Sequence, residues 1–457
     1  KAQLSEWGLQ NAQVVSIAPF GRSWVLEKAA MRMVAPSNLE LVAIPKAWTP
    51  GTDGVKRGKV VYVKLENDED LAKWKGKLKG TIILRDAMTP TKLHTTADAK
   101  RYTDQELHDL EHMELGGAPA RPPTDMAELA KRMAFAKKIN PYLTEEGVIA
   151  TVNVSRGDDG TIFVAGGGSY KQGEPTGPSA LVMSTEQYNR VFRLIEKKKD
   201  VEVEVEVAVN FGDEDPANSI NVFAEIPGSD KKDEIVMLGG HLDSWHAGTG
   251  ATDNAAGVAV AMEAVRLLKA INFKPRRTIR IALWGGEEQG LLGSRDFINK
   301  NVAARPESTD PKEKDLPSFM RRPTGPLMLK PLHGKISAYY NLDNGGGKIR
   351  GIYAENNAAA KAIFDTWLAP FHDLGAKTAT LRKTGSTDHV SFDAVGVPGF
   401  QFIQEPMDYF TRTHHSNMDL FDKIQKGDMM QAAMVMANFV AHTANRDELI
   451  PRKPMPP

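Results

Sequence analysis

The sequence predicts an α/β fold, in which a mostly parallel central sheet carries helices on both faces and a smaller β-rich domain is inserted beside it. After about residue 200, short apolar runs alternate with segments of helical periodicity, the pattern of parallel strands joined by crossover helices. Between about 41 and 180, before that alternation begins, the sequence has short strands and stretches rich in Pro, Thr, Asp and Gly. We therefore assign 1–40 and 200–457 to the larger domain and 41–180 to the inserted one.

The composition is that of an ordinary globular protein. Its 457 residues suffice for two or three domains, and 41% of them are hydrophobic. Lys+Arg and Asp+Glu both number 58, so no net charge points to nucleic acid or an anionic membrane. The absence of cysteine excludes disulfides and thiolate metal sites, and no apolar run is long enough for a membrane span. Because the chain begins at Lys1 without Met, we expect an exported protein whose leader is absent.

The elements of the first half follow in order. We predict the end of a helix within 4–14, then strands at 58–64, 80–85, 147–154 and 160–168, and helices at 68–79, 127–139 and 179–199. Ser184 and Gln187 have the spacing of a capping box in the last of these helices. Segment 201–209 alternates Val and Glu, which indicates a strand with one solvated face rather than a cation site.

The second half alternates strands with helices. We predict strands at 219–226, 234–240, 277–283, 335–342 and 397–403, and helices at 254–270, 289–301, 356–371 and 426–445. The Pro- and Lys-rich stretch 304–334 is expected to be a long surface excursion.

The stretch 241–257 contains the first candidate site residues. His241 follows the apolar run 234–240, and a loop of small residues then leads to Asp253 and the start of the next helix. In open α/β sheets, ligands bind at the edge formed by the carboxyl ends of the strands. His241 and Asp253 are therefore expected at that edge.

Three later segments repeat this design. Glu287 and Glu288 follow the strand 277–283, Asp343 follows 335–342, and the pair His414–His415 comes after 397–403. A single histidine or aspartate is more often structural than functional, but donors at the ends of four strands of one sheet indicate a site. Imidazole and carboxylate without thiolate suit zinc or manganese, and a shared carboxylate would suit two metals about 3.5–4 Å apart.

The motifs HLDS…GATDNAAG, WGGEEQGLLGS, NLD and HHSNMD resemble, in order and spacing, those of the di-zinc exopeptidase family that includes glutamate carboxypeptidase II and bacterial leucyl aminopeptidases. They cover roughly 235–425, and 41–180 resembles that family's protease-associated domain. The resemblance implies two Zn²⁺ per chain, with ligands His241, Asp253, Glu288, Asp343 and His415. Asp253 would bridge the metals, with His241 and Asp343 on one zinc and Glu288 and His415 on the other.

The resemblance also implies the remaining roles. Glu287 would be the general base and Asp243 the partner that orients His241. His414 stands where many members have a tyrosine that polarises the scissile carbonyl, so we infer that catalytic role for it. His389, in a loop that resembles the substrate side of the family's site, is equally compatible with a substrate contact and a structural role. A cis peptide bond is expected between Asp253 and Asn254.

These roles predict a zinc metallopeptidase that hydrolyses peptide bonds of short peptides or dipeptides as an aminopeptidase, carboxypeptidase or dipeptidase. Two alternatives stay open at this point. One is an acyltransferase of the glutaminyl cyclase type, which shares the fold but uses one zinc, and the other is a non-catalytic receptor-like relative. We expect a peptide partner, no nucleic acid and no membrane span, with a homodimer left open.

Overall fold

The computed structural model describes residues 1–17, 20–112, 126–306 and 325–455. In chain order its strands are β1 Gln10–Ser16, β2 Arg22–Ala35, β3 Leu39–Glu40, β4 Ala43–Pro45, β5 Lys56–Tyr62, β6 Thr81–Leu84, β7 Ala150–Val154, β8 Ser179–Met183, β9 Glu202–Glu214, β10 Ile220–Ile226, β11 Lys231–His241, β12 Arg277–Trp284, β13 Ala303–Ala304, β14 Met328–Leu329, β15 Ile336–Asn341, β16 Ile349–Tyr353, β17 Thr378–Thr380 and β18 Gly399–Gln404. Its α-helices are α1 Ala2–Glu6, α2 Asp68–Trp74, α3 Asp104–Glu111, α4 Met126–Glu145, α5 Thr185–Glu196, α6 Ala256–Ala270, α7 Leu292–Asn301, α8 Ala358–Leu368, α9 His389–Asp393 and α10 Lys426–Asn445.

The first eight-stranded sheet has the order β1-β10-β12-β11-β15-β18-β16-β17. Its four central strands, β12, β11, β15 and β18, are parallel to one another, and the strands flanking them on both sides pair antiparallel. Helices α6, α8 and α10 pack on one face, and α7 and α9 contribute Phe297 and Phe392 to the core on the other. The predicted parallel sheet with helices on both faces is therefore confirmed.

Small residues allow close packing where β11 leads into α6. A Cβ on Gly239 would lie 1.7 Å from the carbonyl oxygen of Ala282, and a Cβ on Gly257 would lie 2.1 Å from that of Leu342. Only glycine fits such approaches, which bring the start of α6 against the sheet. The peptide bond between Asp253 and Asn254 is cis, as expected.

The second sheet, with the order β3-β2-β9-β5-β6-β7-β8-β4, includes segments that we assigned to the larger domain. The predicted boundaries at 41 and 200 are wrong for β2 and β9, because these two strands pair antiparallel from Arg22–Glu214 to Ala35–Glu202. The alternating valines of β9 pack into this sheet's core while its glutamates lie on the outer face, as predicted. We call this sheet with α2, α4 and α5 the second unit; its relation to the protease-associated domain stays a prediction.

Some local predictions differ from the structure. Segment 160–168 forms only isolated bridges rather than a strand. The predicted helix 179–199 is β8 followed by α5. The predicted capping box does not form, since Ser184 makes no capping hydrogen bond and the Gln187 side chain accepts one from the Val42 amide. Helix α1 ends at Glu6, within the predicted range 4–14, and residues 10–14 already belong to β1. Most of the expected excursion 304–334 lies outside the described residues.

None of the described helices is long and apolar enough to cross a membrane. Export and a homodimer stay predictions.

Candidate functional site

The site lies where the four parallel central strands end. His241 is the last residue of β11, Glu287 and Glu288 follow β12, and Asp343 follows β15. The loop after β18 brings His414 and His415 to the same edge. Because parallel strands all end on one side of a sheet, residues far apart in the sequence meet here.

The carboxylate of Asp253 lies between two histidines. Its Oδ1 is 3.2 Å from His241 Nε2, and its Oδ2 is 3.3 Å from His415 Nε2. The same His241 nitrogen is 3.4 Å from Asp343 Oδ1, and the same His415 nitrogen is 2.9 Å from Glu288 Oε2. Each histidine thus shares Asp253 and has one further carboxylate of its own.

Donor atoms from all seven predicted site residues come together. Three sets have their donor atoms within 4.8 Å of one another: His241 with Glu287 and Asp343, His241 with Asp253 and Glu288, and Asp253 with His414 and His415. The structure therefore brings the predicted residues together at one place.

The donor set fits a cation. His241, Asp253 and Asp343 are only 1%, 4% and 5% exposed. Three of the facing atoms, His241 Nε2, Asp253 Oδ2 and Glu288 Oε1, are buried without a hydrogen bond in the described part of the chain. Buried polar atoms without partners are costly, and the known remedies are hydrogen bonds, water or an ion. Imidazole nitrogen and carboxylate oxygen are donors that zinc accepts.

Burial dominates the electrostatics of the two adjacent glutamates. It raises the pKa of Glu287 to about 10 and the pKa of Glu288 to about 6. Burial also disfavours the charged form of His415, but Asp253 and Glu288 outweigh this effect and raise the pKa of His415 to about 9. Burial likewise works against ionised Asp253, yet His241 and His415 hold the pKa of Asp253 well below its usual range. The site therefore crowds carboxyl groups together, and histidines are the basic groups paired with them in the described part of the chain.

Asp243 does not act quite as the resemblance implied. His241 Nδ1 lies 2.8 Å from the backbone oxygen of Asp243 and 3.7 Å from its carboxylate, so the carbonyl is the nearer partner. The carboxylate instead accepts hydrogen bonds from the amides of Glu287 and Glu288, both at 3.1 Å. Asp243 therefore fixes the turn that carries both glutamates.

Asp419 supports Asp253 from behind, a role that sequence reasoning missed. Its carboxylate accepts hydrogen bonds from the Thr252 amide at 2.6 Å, the Thr252 hydroxyl at 2.8 Å and the Asp253 amide at 3.1 Å. Asp419 is the last residue of the HHSNMD motif. Its buried position shows that the same motif also supports the loop of Asp253.

His414 lies beside His415, with ring centroids 3.7 Å apart, and its Nε2 is 3.9 Å from Asp253 Oδ2. Burial lowers the pKa of His414 to about 4, which favours the neutral ring. Arg156 Nη2 lies 3.4 Å from His414 Nδ1 and donates to the His414 carbonyl at 3.3 Å. An arginine can only donate, so Nδ1 accepts and Nε2 carries the proton of the neutral ring. No sequence pattern pointed to Arg156.

His389 is fully buried, near Glu355, with Nε2 3.6 Å from Glu355 Oε1. Its neighbours Ser386 and Val390 line a cavity that also contacts Glu287 and Glu288, whereas His389 does not. Both ring nitrogens of His389 are buried without a hydrogen-bond partner in the described part of the chain. Asp388, which sequence reasoning passed over, is also fully buried, and burial raises its pKa to about 7.

One cavity contacts the site directly, and a second is linked to it through Arg156. The first, of about 860 Å³, contacts Asp253, Glu287, Glu288, Asp343, His414 and His415. The rest of its wall combines apolar and aromatic residues, among them Leu291, Tyr353, Phe402 and Phe410, with polar ones such as Arg295, Asn344 and Gln404. The other, of about 600 Å³, lies in the second unit and is lined by Lys46, Asn153, Arg156 and Phe163, among others. Arg156 lines this second cavity and contacts His414, which lines the first. Both volumes suit small ligands.

Residues 221–440 match the model of peptidase family M28. This segment is a peptidase family M28 domain. It contains every predicted site residue, which confirms the resemblance that the motifs carry.

Curated relatives of the M28 domain include carboxypeptidase Q from Bos taurus, which is 29% identical over 284 residues, or 62% of this chain and 53% of the relative. Leupeptin-inactivating enzyme 1 from Streptomyces exfoliatus is 29% identical over 184 residues, or 40% of this chain and 35% of the relative. The chain thus spans about half the length, or less, of the curated relatives it matches.

Solved structures agree on the fold of the M28 domain and of the chain around it. A peptidase M28 precursor from Shewanella amazonensis has a TM-score of 0.65 at 22% identity and covers 100% of this chain and 88% of its own. The zinc aminopeptidase BSAP from Bacillus subtilis has a TM-score of 0.54 at 16% identity, covering 98% and 88%. At such identities the likeness concerns the fold alone.

Proposed function

We propose that the chain is a metal-dependent exopeptidase that binds two zinc ions and hydrolyses short peptides or dipeptides. The observation that carries this proposal is the carboxylate of Asp253, whose two oxygens face His241 on one side and His415 on the other. A carboxylate shared in this way suits two cations. Relatives named carboxypeptidase Q and a zinc aminopeptidase support peptidase chemistry and the choice of zinc.

His241 and Asp343 would hold one zinc, Glu288 and His415 the other, and Asp253 both. Two zinc ions in such a site supply a water that is acidic near neutral pH and positive charge beside the scissile carbonyl. The buried ligand atoms without partners would then be satisfied, and the carboxylates would receive the charge that the protein itself does not provide.

Glu287 would act as the general base. It borders the cavity and belongs to one donor set with His241 and Asp343, yet it is not among the five proposed ligands. Burial raises the pKa of Glu287 and so keeps its carboxyl protonated. Nearby positive charge would lower that pKa and let Glu287 accept a proton from the attacking water. It would then pass that proton to the leaving amine.

His414 would stabilise the oxyanion that develops on the scissile carbonyl. Arg156 leaves the ring proton on His414 Nε2, the nitrogen on the Asp253 side. A preset N–H donor at that place can bind the oxyanion without reorganising.

Arg156 favours recognition of the carboxyl end of the substrate. It forms no salt bridge with any described residue; its guanidinium lies 4.0 Å from the centre of the Phe163 ring and contacts His414. With Lys46 it places two cationic side chains on the cavity of the second unit, whose wall also contains the carboxylate of Asp86. A dipeptide carboxylate would pair with them, so we infer a carboxypeptidase or dipeptidase rather than an aminopeptidase.

A panel of free, amino-blocked and carboxyl-blocked dipeptides, combined with elemental analysis, tests this proposal. We expect two zinc ions per chain, hydrolysis that stops with a chelator, and loss of turnover when the carboxyl end is blocked. One zinc with activity on an amino-terminal glutamine peptide would favour the cyclase alternative. Bound zinc without hydrolysis of any dipeptide would favour the receptor-like alternative.

A further inference from the structure

The loop that carries His414 and His415 belongs to the first sheet's edge, yet much of its backbone is bonded to the second unit. The amide of Val164 donates to the carbonyl of His415 at 2.9 Å, and Phe163 and Ser416 form an isolated antiparallel bridge. His415 itself has φ of 61°, a left-handed conformation that side-chain-bearing residues seldom adopt. A residue in that conformation is held there by its surroundings.

Asn417 adds three hydrogen bonds to this connection. Its Oδ1 accepts a hydrogen bond from the Ile162 amide at 2.7 Å, and its Nδ2 donates to the Gly160 carbonyl at 3.1 Å. Its own amide donates to the Ile162 carbonyl at 3.1 Å. One side chain thus matches both a donor and an acceptor of the facing segment.

The segment 160–164 is itself fixed to the second unit. Ile162 and Val164 are buried against Val182 of β8, and Ser155 Oγ donates to the Thr161 carbonyl at 2.8 Å. A further bond from Arg412 Nη1 to Thr161 Oγ1, at 3.0 Å, ties the start of the histidine loop to it. The position of His415 is therefore coupled to the core of the second sheet.

We propose that the second unit is part of the metal-binding machinery, with Asn417 as a positioning residue that holds His415 toward its zinc. This inference rests on the proposed function. Partners that orient metal ligands typically contribute 10–100-fold to metal affinity. The zinc bound by Glu288 and His415 should depend on Asn417, and the zinc bound by His241 and Asp343 should not.

The test is Asn417→Ala in the full chain, with the two zinc dissociation constants measured by titration against a competing chelator. We expect one constant to rise about 10–100-fold and the other to stay unchanged. Asn357→Ala is the matched control, because the Asn357 amide also accepts from one backbone amide and donates to one carbonyl, at Ala360 and Pro451. It should reduce thermal stability but leave both zinc constants unchanged.

Asn417→Asp keeps the acceptor for the Ile162 amide but sets a carboxylate oxygen against the Gly160 carbonyl, so it should also weaken the same zinc and leave the other unchanged. If Asn417→Ala fails to fold, this variant gives the answer alone. Two zinc ions in the wild type and unchanged constants in folded variants would overturn the positioning role and leave the proposed function intact. A wild type that binds no zinc would overturn both.

Discussion

Acidic side chains are concentrated in two regions of this molecule, and the two are neutralised in different ways. On β9 of the second sheet, Glu206 pairs with Lys28 at 2.7 Å and Glu204 pairs with Arg32 at 2.7 Å. Glu202 of the same strand pairs with Arg57. These glutamates lie on a solvated face, opposite cations on neighbouring strands.

At the carboxyl edge of the first sheet the carboxylates are buried instead. Among the described residues, no Lys or Arg forms a salt bridge with Asp253, Glu287, Glu288 or Asp343. Histidines are the only described basic side chains within salt-bridge distance of these carboxylates. Burial raises the pKa of both glutamates there. The comparison teaches that an acidic cluster indicates a bound cation when its carboxylates are buried and the protein supplies no Lys or Arg to pair with them.

The largest effect we expect comes from Glu287→Gln. Glutamine keeps the size of the side chain but cannot accept a proton, so kcat should fall about 10²–10⁴-fold or more while zinc content stays at the wild-type value. Steady-state kinetics on a dipeptide and elemental analysis measure both. The same substitution at Glu206 on β9 is the control and should leave kcat unchanged. Loss of zinc in Glu287→Gln would mean that the two glutamates exchange roles.

Glu288→Ala should weaken metal binding rather than proton transfer. It removes one proposed ligand from the zinc of His415, so zinc content should fall from two toward one per chain. Excess zinc should restore part of the activity, because mass action refills a weakened site. A Glu288→Ala protein that keeps both zinc ions after dialysis would contradict the assigned ligand.

A smaller effect is expected on the second sheet. Glu206→Gln removes a salt bridge to Lys28 whose partners are 23% and 57% exposed. Such solvated pairs contribute about 1 kcal/mol or less, so the free energy of unfolding should change by no more than that. Denaturant titration measures it. A loss of several kcal/mol would show that β9 relies on its ion pairs and would remove the contrast between the two regions.

The smallest effect we expect is pH-dependent and involves His94. Its nitrogens lie 3.0 Å from Asp158 Oδ2 and 2.6 Å from Asp98 Oδ1, and these two carboxylates raise its pKa, with Arg412 bound to Asp98 on the far side. A raised folded-state pKa gives stability below the unfolded value of about 6.5 that is lost as pH rises through the folded value. His94→Gln should therefore lower Tm at pH 6 and have less effect at alkaline pH.

His372→Gln, at an exposed histidine that forms no salt bridge with a described residue, is the control for His94 and should give equal Tm shifts at both pH values. A His94→Gln shift that does not depend on pH would mean that the imidazole is uncharged between its two carboxylates.

The sequence alone predicted the parallel sheet, because the apolar runs that became β11, β12, β15 and β18 are separated by segments of helical periodicity. It also placed the donors correctly at the ends of those strands, since strand direction follows from the alternation. The resemblance in motif order then brought the donors together as one set. These features depend on local patterns that a linear chain displays directly.

Only the tertiary structure decided which residues pair across long separations. Strands β2 and β9 lie more than one hundred and sixty residues apart along the chain, and their pairing, which moved both into the second sheet, has no local signal. The same holds for Arg156 beside His414, for Asn417 against Ile162, and for Asp419 behind Asp253. Their partners are set by the assembled fold, because a hydrogen bond depends on final positions rather than on neighbours in sequence.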